Sequence, residues 1–147
     1  MGDYYFPDRI RARVLVVDDH PTTASTLARV IALMGRGIEP VVANSGEQAL
    51  ELAQQQAVDI LITDMVMPGM GGIELIKTLQ SQPDNRSVYT IMMTAHEIAT
   101  REISAQRLTV DRVLLKPIQP ERICQIITGA IERLNRNTPA NLTEGIA

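Results

Sequence analysis

Five short apolar runs punctuate the chain: Val14 to Val17, Val41 to Ala43, Ile60 to Ile62, Ile91 to Met93 and Val113 to Leu115. They are rich in Val and Ile and almost unbroken by polar residues, the pattern of parallel strands covered by helices on both faces. Between them the spacing changes. Leu27, Val30, Ile31 and Met34 follow the first run at helical intervals, as do Ile123, Ile126, Ile127, Ile131 and Leu134 after the last, so each set predicts a helix with one apolar side. Ser45 and Gln48 form a capping box that opens the second helix, Gly35 and Gly37 end the first, and Gly71 and Gly72 stand at the mouth of the third.

Strand and helix thus alternate five times with short connections, and the predicted architecture is α/β: a doubly wound, five-stranded parallel sheet with helices on both sides. Residues 13–136 make up this domain, residues 1–12 an N-terminal leader, and residues 137–147 a C-terminal tail or the start of a linker. A chain of 147 residues with 45% hydrophobic content can bury a core as one domain without disulfides or a structural metal. In such sheets ligands bind beyond the carboxyl ends of the strands, where the strand order reverses.

The carboxyl ends are where the polar residues gather. The first run finishes Val16-Val17-Asp18-Asp19, the third Ile62-Thr63-Asp64, the fourth Met92-Met93-Thr94-Ala95 and the fifth Leu114-Leu115-Lys116-Pro117. Any one of these is weak evidence, because Asp and Thr commonly end strands and cap helices; the joint pattern is specific. Crowded carboxylates repel one another and a divalent cation relieves them. An all-oxygen donor set favours Mg²⁺, with Mn²⁺ as a substitute. Asp64 on the central strand is then placed to attack a phosphoryl group and form an aspartyl phosphate. Phosphoryl transfer needs cations and donors around three equatorial oxygens: Mg²⁺ for one, the Lys116 ammonium for another, the Thr94 hydroxyl or backbone amides for the third.

Val14-Leu15-Val16-Val17-Asp18-Asp19-His20, Asp64-Met65-Val66-Met67-Pro68-Gly69-Met70-Gly71-Gly72, Met93-Thr94-Ala95 and Leu115-Lys116-Pro117 together resemble the receiver domains of two-component response regulators. The likeness covers roughly residues 13–136 and implies a flavodoxin-like (βα)5 fold. It implies that Asp64 takes phosphate from a phosphohistidine donor, a sensor histidine kinase or a histidine phosphotransfer protein. It also implies that Asp18, Asp19, Asp64 and the backbone carbonyl of Val66 hold Mg²⁺, that Thr94 and Lys116 bind the phosphoryl group, and that the Lys116-Pro117 peptide is cis. Such a module is a signalling receiver that promotes its own phosphorylation and slow dephosphorylation, not an enzyme with a separate substrate. One departure stands out. Receivers usually carry Tyr or Phe three residues before the strand-five lysine, and here that residue is Val113, so switching is expected to run through the loop Ala95-His96-Glu97 and the helix after it.

Other residues have plainer readings. His20 and His96 are expected as solvent-facing loop residues. Met65, Met67, Met70, Met92 and Met93 are expected as packing material, and Cys124, flanked by Ile123, Ile126 and Ile127, as a small core residue on a helix. Tyr4, Tyr5 and Phe6 are three of the four aromatics and pack on the domain or serve as an interaction tag.

A dinucleotide-binding Rossmann domain is excluded by the first turn, Asp18-Asp19-His20-Pro21, which has charges where a pyrophosphate needs glycines. A Mg²⁺-dependent aspartyl-phosphate hydrolase shares the Asp, Mg²⁺ and Lys, but such enzymes carry a general acid two residues after the nucleophile, and here Val66 holds that place. With 14 basic against 17 acidic residues, scattered along the chain, no electrostatic nucleic-acid surface is expected. The absence of a long apolar run and of an internal disulfide points to a chain off the membrane in a reducing cytoplasm. The same receiver could stand alone or belong to a longer regulator or a hybrid histidine kinase.

Overall fold

A computed structural model describes residues 12–35, 37–85, 88–95, 101, 103–104 and 108–136. Tyr4, Tyr5 and Phe6 in the leader, the loop residues His96 and Glu97, and residues 137–147 lie outside the described residues. The expectations attached to them are therefore left where the sequence put them.

The elements run β1 (Ala12–Val17), α1 (Pro21–Ala32), β2 (Ile38–Ala43), α2 (Gly46–Gln55), β3 (Ile60–Asp64), α3 (Gly72–Gln80), a 3-10 turn (Pro83–Asn85), β4 (Tyr89–Thr94), β5 (Arg112–Leu115) and α4 (Pro120–Arg136). All strand pairs are parallel, in the order β2-β1-β3-β4-β5. The predicted α/β sheet is therefore present, with four helices described along their length, and residues 101, 103 and 104 between β4 and β5 are helical where the alternation predicts the remaining one. The segment between β4 and β5 is described only in part.

Alternation along each strand divides the core in two. Val14 and Val16 of β1, Ile60 and Ile62 of β3, and Ile91 and Met93 of β4 point toward α1 and α4. Leu15, Val17, Leu61 and Met92 point to the other face, where α2 and α3 supply Ala49, Leu75, Ile76 and Leu79. Each fully buried Leu or Ile contributes about 1.5–3 kcal/mol of transfer free energy, so both layers are needed to offset the ordering of the chain. The prediction of strands buried on both faces holds for β1, β3 and β4 but not for the two outer strands, where β2 is half-open and β5 has both ends exposed. Edge position also explains how Pro40 sits inside β2, since a missing N–H costs no ladder bond on an open side.

The loop from β3 to α3 is tightly built. Gly69 has φ of 74°, a left-handed conformation that suits glycine. Gly72 must lack a side chain, because a Cβ there would collide with the carbonyl oxygen of Asp64. Its N–H donates to the Met65 carbonyl at 2.8 Å, so the first turn of α3 lies against the end of β3.

Candidate functional site

Strand order reverses between β1 and β3, and the crevice at that switch point is where an open α/β sheet places its ligands. Asp18 directly follows β1 and Asp64 ends β3. The Asp18 N–H donates to the Ala43 carbonyl at 3.1 Å, and the side-chain amide of Asn44 donates to the Asp18 carbonyl at 3.1 Å, so the backbone around Asp18 is held from β2. Asn44 was not singled out in the sequence; the signal was a polar residue at the carboxyl end of the second strand, beside the capping Ser45. That cap forms, with Gln48 N–H donating to Ser45 Oγ at 3.0 Å, but the Gln48 side chain returns to the Asn44 N–H at 2.8 Å and not to that of Ser45.

The carboxylates meet closely. One ligand atom from each of Asp18, Asp19, His20 and Asp64 lies within 4.8 Å of the others. Asp18 is fully buried at 0% exposure, yet its Oδ2 has no hydrogen-bond partner, and neither has the buried Oδ1 of Asp19. The compensating cation is Lys116, whose Nζ donates to Asp64 Oδ2 at 3.1 Å and stands 3.7 Å from Asp18 Oδ2, too far for a hydrogen bond. A buried carboxylate oxygen without a donor costs roughly 1–3 kcal/mol or more. The site is thus short of positive charge, and its oxygen-rich donor set fits a small hard divalent ion.

Thr94, 1% exposed, ends β4 one residue past Met93, the register partner of Asp64, and its carbonyl accepts the Lys116 N–H at 2.8 Å. The Lys116-Pro117 peptide is cis, as the resemblance implies. Val66 lies two residues beyond Asp64 with its side chain 62% exposed. Val113 is half-buried on β5 opposite Met92 and packs on the core with Leu108 and Val110. Tyr89, at the opposite end of β4 and under the Arg133 guanidinium at 5.7 Å, does not replace the missing ring.

The family model of the response regulator receiver domain matches residues 14–128. The chain belongs to this family. The receiver is 30% identical over 135 residues to the DNA-binding response regulator MtrA of Mycolicibacterium smegmatis, a match covering 92% of this chain and 57% of that one. It is 33% identical over 118 residues to the sensor protein GacS of Pseudomonas syringae pv. syringae, covering 78% of this chain and 13% of that protein. Among solved structures, the chemotaxis protein CheY4 of Vibrio cholerae matches with a TM-score of 0.74 and 26% identity over 82% of this chain and 98% of that one. This receiver spans little more than half the length of the MtrA relative, and the DNA binding in that name belongs to the whole of that protein.

Two readings of single residues change. Cys124 is not in the core: it is half-buried in a groove between α1 and α4 with Val30, Leu33 and Met34, because α4 turns its Ile123, Ile126 and Ile127 side to the sheet. Burial, aided by the Glu121 carboxylate, raises the pKa of its thiol, so this is not an activated nucleophile. His20 is 70% exposed as expected, but its ring turns back to the acidic pair, with Nδ1 3.1 Å from Asp18 Oδ1 and 3.4 Å from Asp19 Oδ1. The methionines behave as predicted: Met65, Met67, Met92 and Met93 are buried, and Met70 packs against the core layer that holds the first three. Among the described residues no helix is long and apolar enough to cross a membrane.

Proposed function

We propose that this receiver takes a phosphoryl group onto Asp64 from the phosphohistidine of a sensor histidine kinase or a histidine phosphotransfer protein, and then changes conformation to signal to a partner or an attached output domain. The observation that carries this reading is the pair of buried, partnerless oxygens on Asp18 and Asp19 beside the Asp64–Lys116 pair. Asp18, Asp19, Asp64 and the Val66 carbonyl would hold Mg²⁺, or Mn²⁺ in its place. The bound ion would supply the charge that lets three carboxylates and an incoming phosphoryl group share one crevice.

The residues themselves position and neutralise. An Asp64 carboxylate oxygen bonds to phosphorus as the bond from phosphorus to the donor imidazole nitrogen breaks. Lys116, already on Asp64, is placed to pair with a phosphoryl oxygen, and the Thr94 hydroxyl to donate to another. The hydrolase alternative gains nothing from the geometry, since the place of its general acid is held by the exposed apolar Val66. The receiver acts in the cytoplasm, where its donors are found.

Intact-mass measurement after incubation with acetyl phosphate and Mg²⁺ tests the assignment: the wild type gains one phosphoryl group and Asp64→Asn gains none. Uptake by Asp64→Asn at the wild-type rate overturns it. The signal runs from Thr94 through the loop after β4 and not through a ring at Val113, whose branched side chain has little rotamer freedom. Hydrogen exchange with and without beryllofluoride should change around residues 94–101, and the change should survive Val113→Ala.

A further inference from the structure

We infer that His20 is an additional, nitrogen ligand of the divalent-ion site and gives this receiver a preference for imidazole-binding transition metals over Mg²⁺. The inference rests on the proposed cation site at Asp18, Asp19 and Asp64. His20 occupies the N-cap position of α1, but its side chain makes no capping hydrogen bond there. Its Nδ1 is hydrogen-bonded to Asp18 Oδ1 at 3.1 Å and lies 3.4 Å from Asp19 Oδ1, so it already faces both carboxylates. Ligand atoms held about 2.0–2.2 Å from one ion, as N and O donors are, stand roughly 3 Å apart when they occupy neighbouring corners of its coordination shell. The ring nitrogen already has that spacing to each of the two carboxylate oxygens, and one ligand atom from each of Asp18, Asp19, His20 and Asp64 lies within 4.8 Å of the others.

The independent sign of a ligand is Asp18 itself. It is fully buried, its Oδ1 accepts the His20 backbone N–H at 2.9 Å, and its Oδ2 has no hydrogen-bond partner, with the Lys116 ammonium 3.7 Å away. With backbone and ring both turned onto Asp18, His20 is held at the rim of the cluster and needs little rearrangement to offer Nδ1 to an ion. Mg²⁺ takes oxygen and retains its waters, so the imidazole adds little for it, whereas Co²⁺, Ni²⁺ and Zn²⁺ accept nitrogen readily and bind mixed sites more tightly. A three-carboxylate site would rank these ions less steeply than one with His20.

Calorimetric titration of the full chain with Mg²⁺ alone and Co²⁺ alone tests this, in wild type, His20→Ala and Asp19→Asn, with His96→Ala as control for the other histidine. Even an outer-sphere partner of a metal is worth about 10- to 100-fold in affinity, so His20→Ala should weaken Co²⁺ binding by at least about ten-fold while leaving Mg²⁺ within about two-fold. The His20 ring resonances should be shifted or broadened by Co²⁺ in the wild type. Equal weakening of both ions, or of neither, overturns the inference. Mg²⁺ affinity undiminished in Asp19→Asn, and likewise in Asp18→Asn, would instead show that the cation site under "Proposed function" is misplaced.

Discussion

At the amino end of the sheet Asp59 accepts the Arg13 N–H and Asp111 the Thr90 N–H, both at 2.8 Å, whereas at the carboxyl end Asp18 and Asp19 each keep a buried oxygen with no donor. The amino end is closed further by Asn85, whose side chain accepts the Val58 N–H at 3.0 Å, and by Arg13, whose guanidinium donates to the Leu52 carbonyl at 3.1 Å and to that of Gln56, although its buried Nε, 4.0 Å from Glu39 Oε1, has no hydrogen-bond partner. Those two carbonyls lie at the end of α2, where a cation is favoured by the helix dipole. Asp therefore finishes strands at both ends. At one end it completes the backbone bonding of its neighbours; at the other it gathers negative charge that Lys116 offsets only in part.

The comparison predicts that changes at the carboxyl end cost function, while at the amino end loss of Arg13 costs stability and neutralising Asp59 costs little. The largest effect is on Asp64→Asn, which should abolish phosphoryl uptake from acetyl phosphate while the urea midpoint stays at or above that of the wild type; a protein that unfolds instead would make Asp64 a structural residue. Next comes Arg13→Met, which keeps the apolar stem but loses the charged hydrogen bonds to the end of α2. It should lower the free energy of unfolding by about 2–3 kcal/mol, read from the same urea titration, with phosphoryl uptake by the remaining folded protein unchanged.

A smaller effect of opposite sign is expected for Asp18→Asn. Relieving the repulsion of a buried carboxylate beside Asp19 and Asp64, one of whose oxygens accepts no hydrogen bond, should raise stability by about 1 kcal/mol in the presence of a chelator. Added Mg²⁺ should then raise the melting temperature of the wild type more than that of the variant, and an equal response would remove Asp18 from the cation site.

Asp59→Asn should give the smallest change. Burial holds the Asp59 carboxyl above its ordinary pKa of 3.8, with the Arg13 N–H and charge only partly offsetting it. A folded-state pKa above the unfolded one means that the ionised group opposes folding at neutral pH, and that this cost fades as pH falls through the folded value toward 3.8. The Asn variant should therefore match or slightly exceed the wild type at pH 7, and its advantage should disappear near pH 4. An advantage that grows on acidification would mean that Arg13 dominates the burial.

The sequence by itself determined the fold, because the Val and Ile runs and the helical spacing between them leave one way to bury both faces of a sheet, and because connections between parallel strands are short. It also determined which residues reach the carboxyl edge, since Asp18, Asp19, Asp64, Thr94 and Lys116 each directly end or follow an apolar run. Only the tertiary structure decided what those residues lack. Whether an oxygen of Asp18 meets a donor depends on how Asn44, His20 and Lys116, from three separate segments, are placed around it. The same holds for Cys124, whose apolar neighbours suggested burial until the rotation of α4 turned it to a groove, and for Arg13, on which the sequence pattern was silent and whose guanidinium meets carbonyls at the end of α2. Periodicity records which side of an element is apolar; it carries no information about which polar atoms from distant segments will meet across the fold.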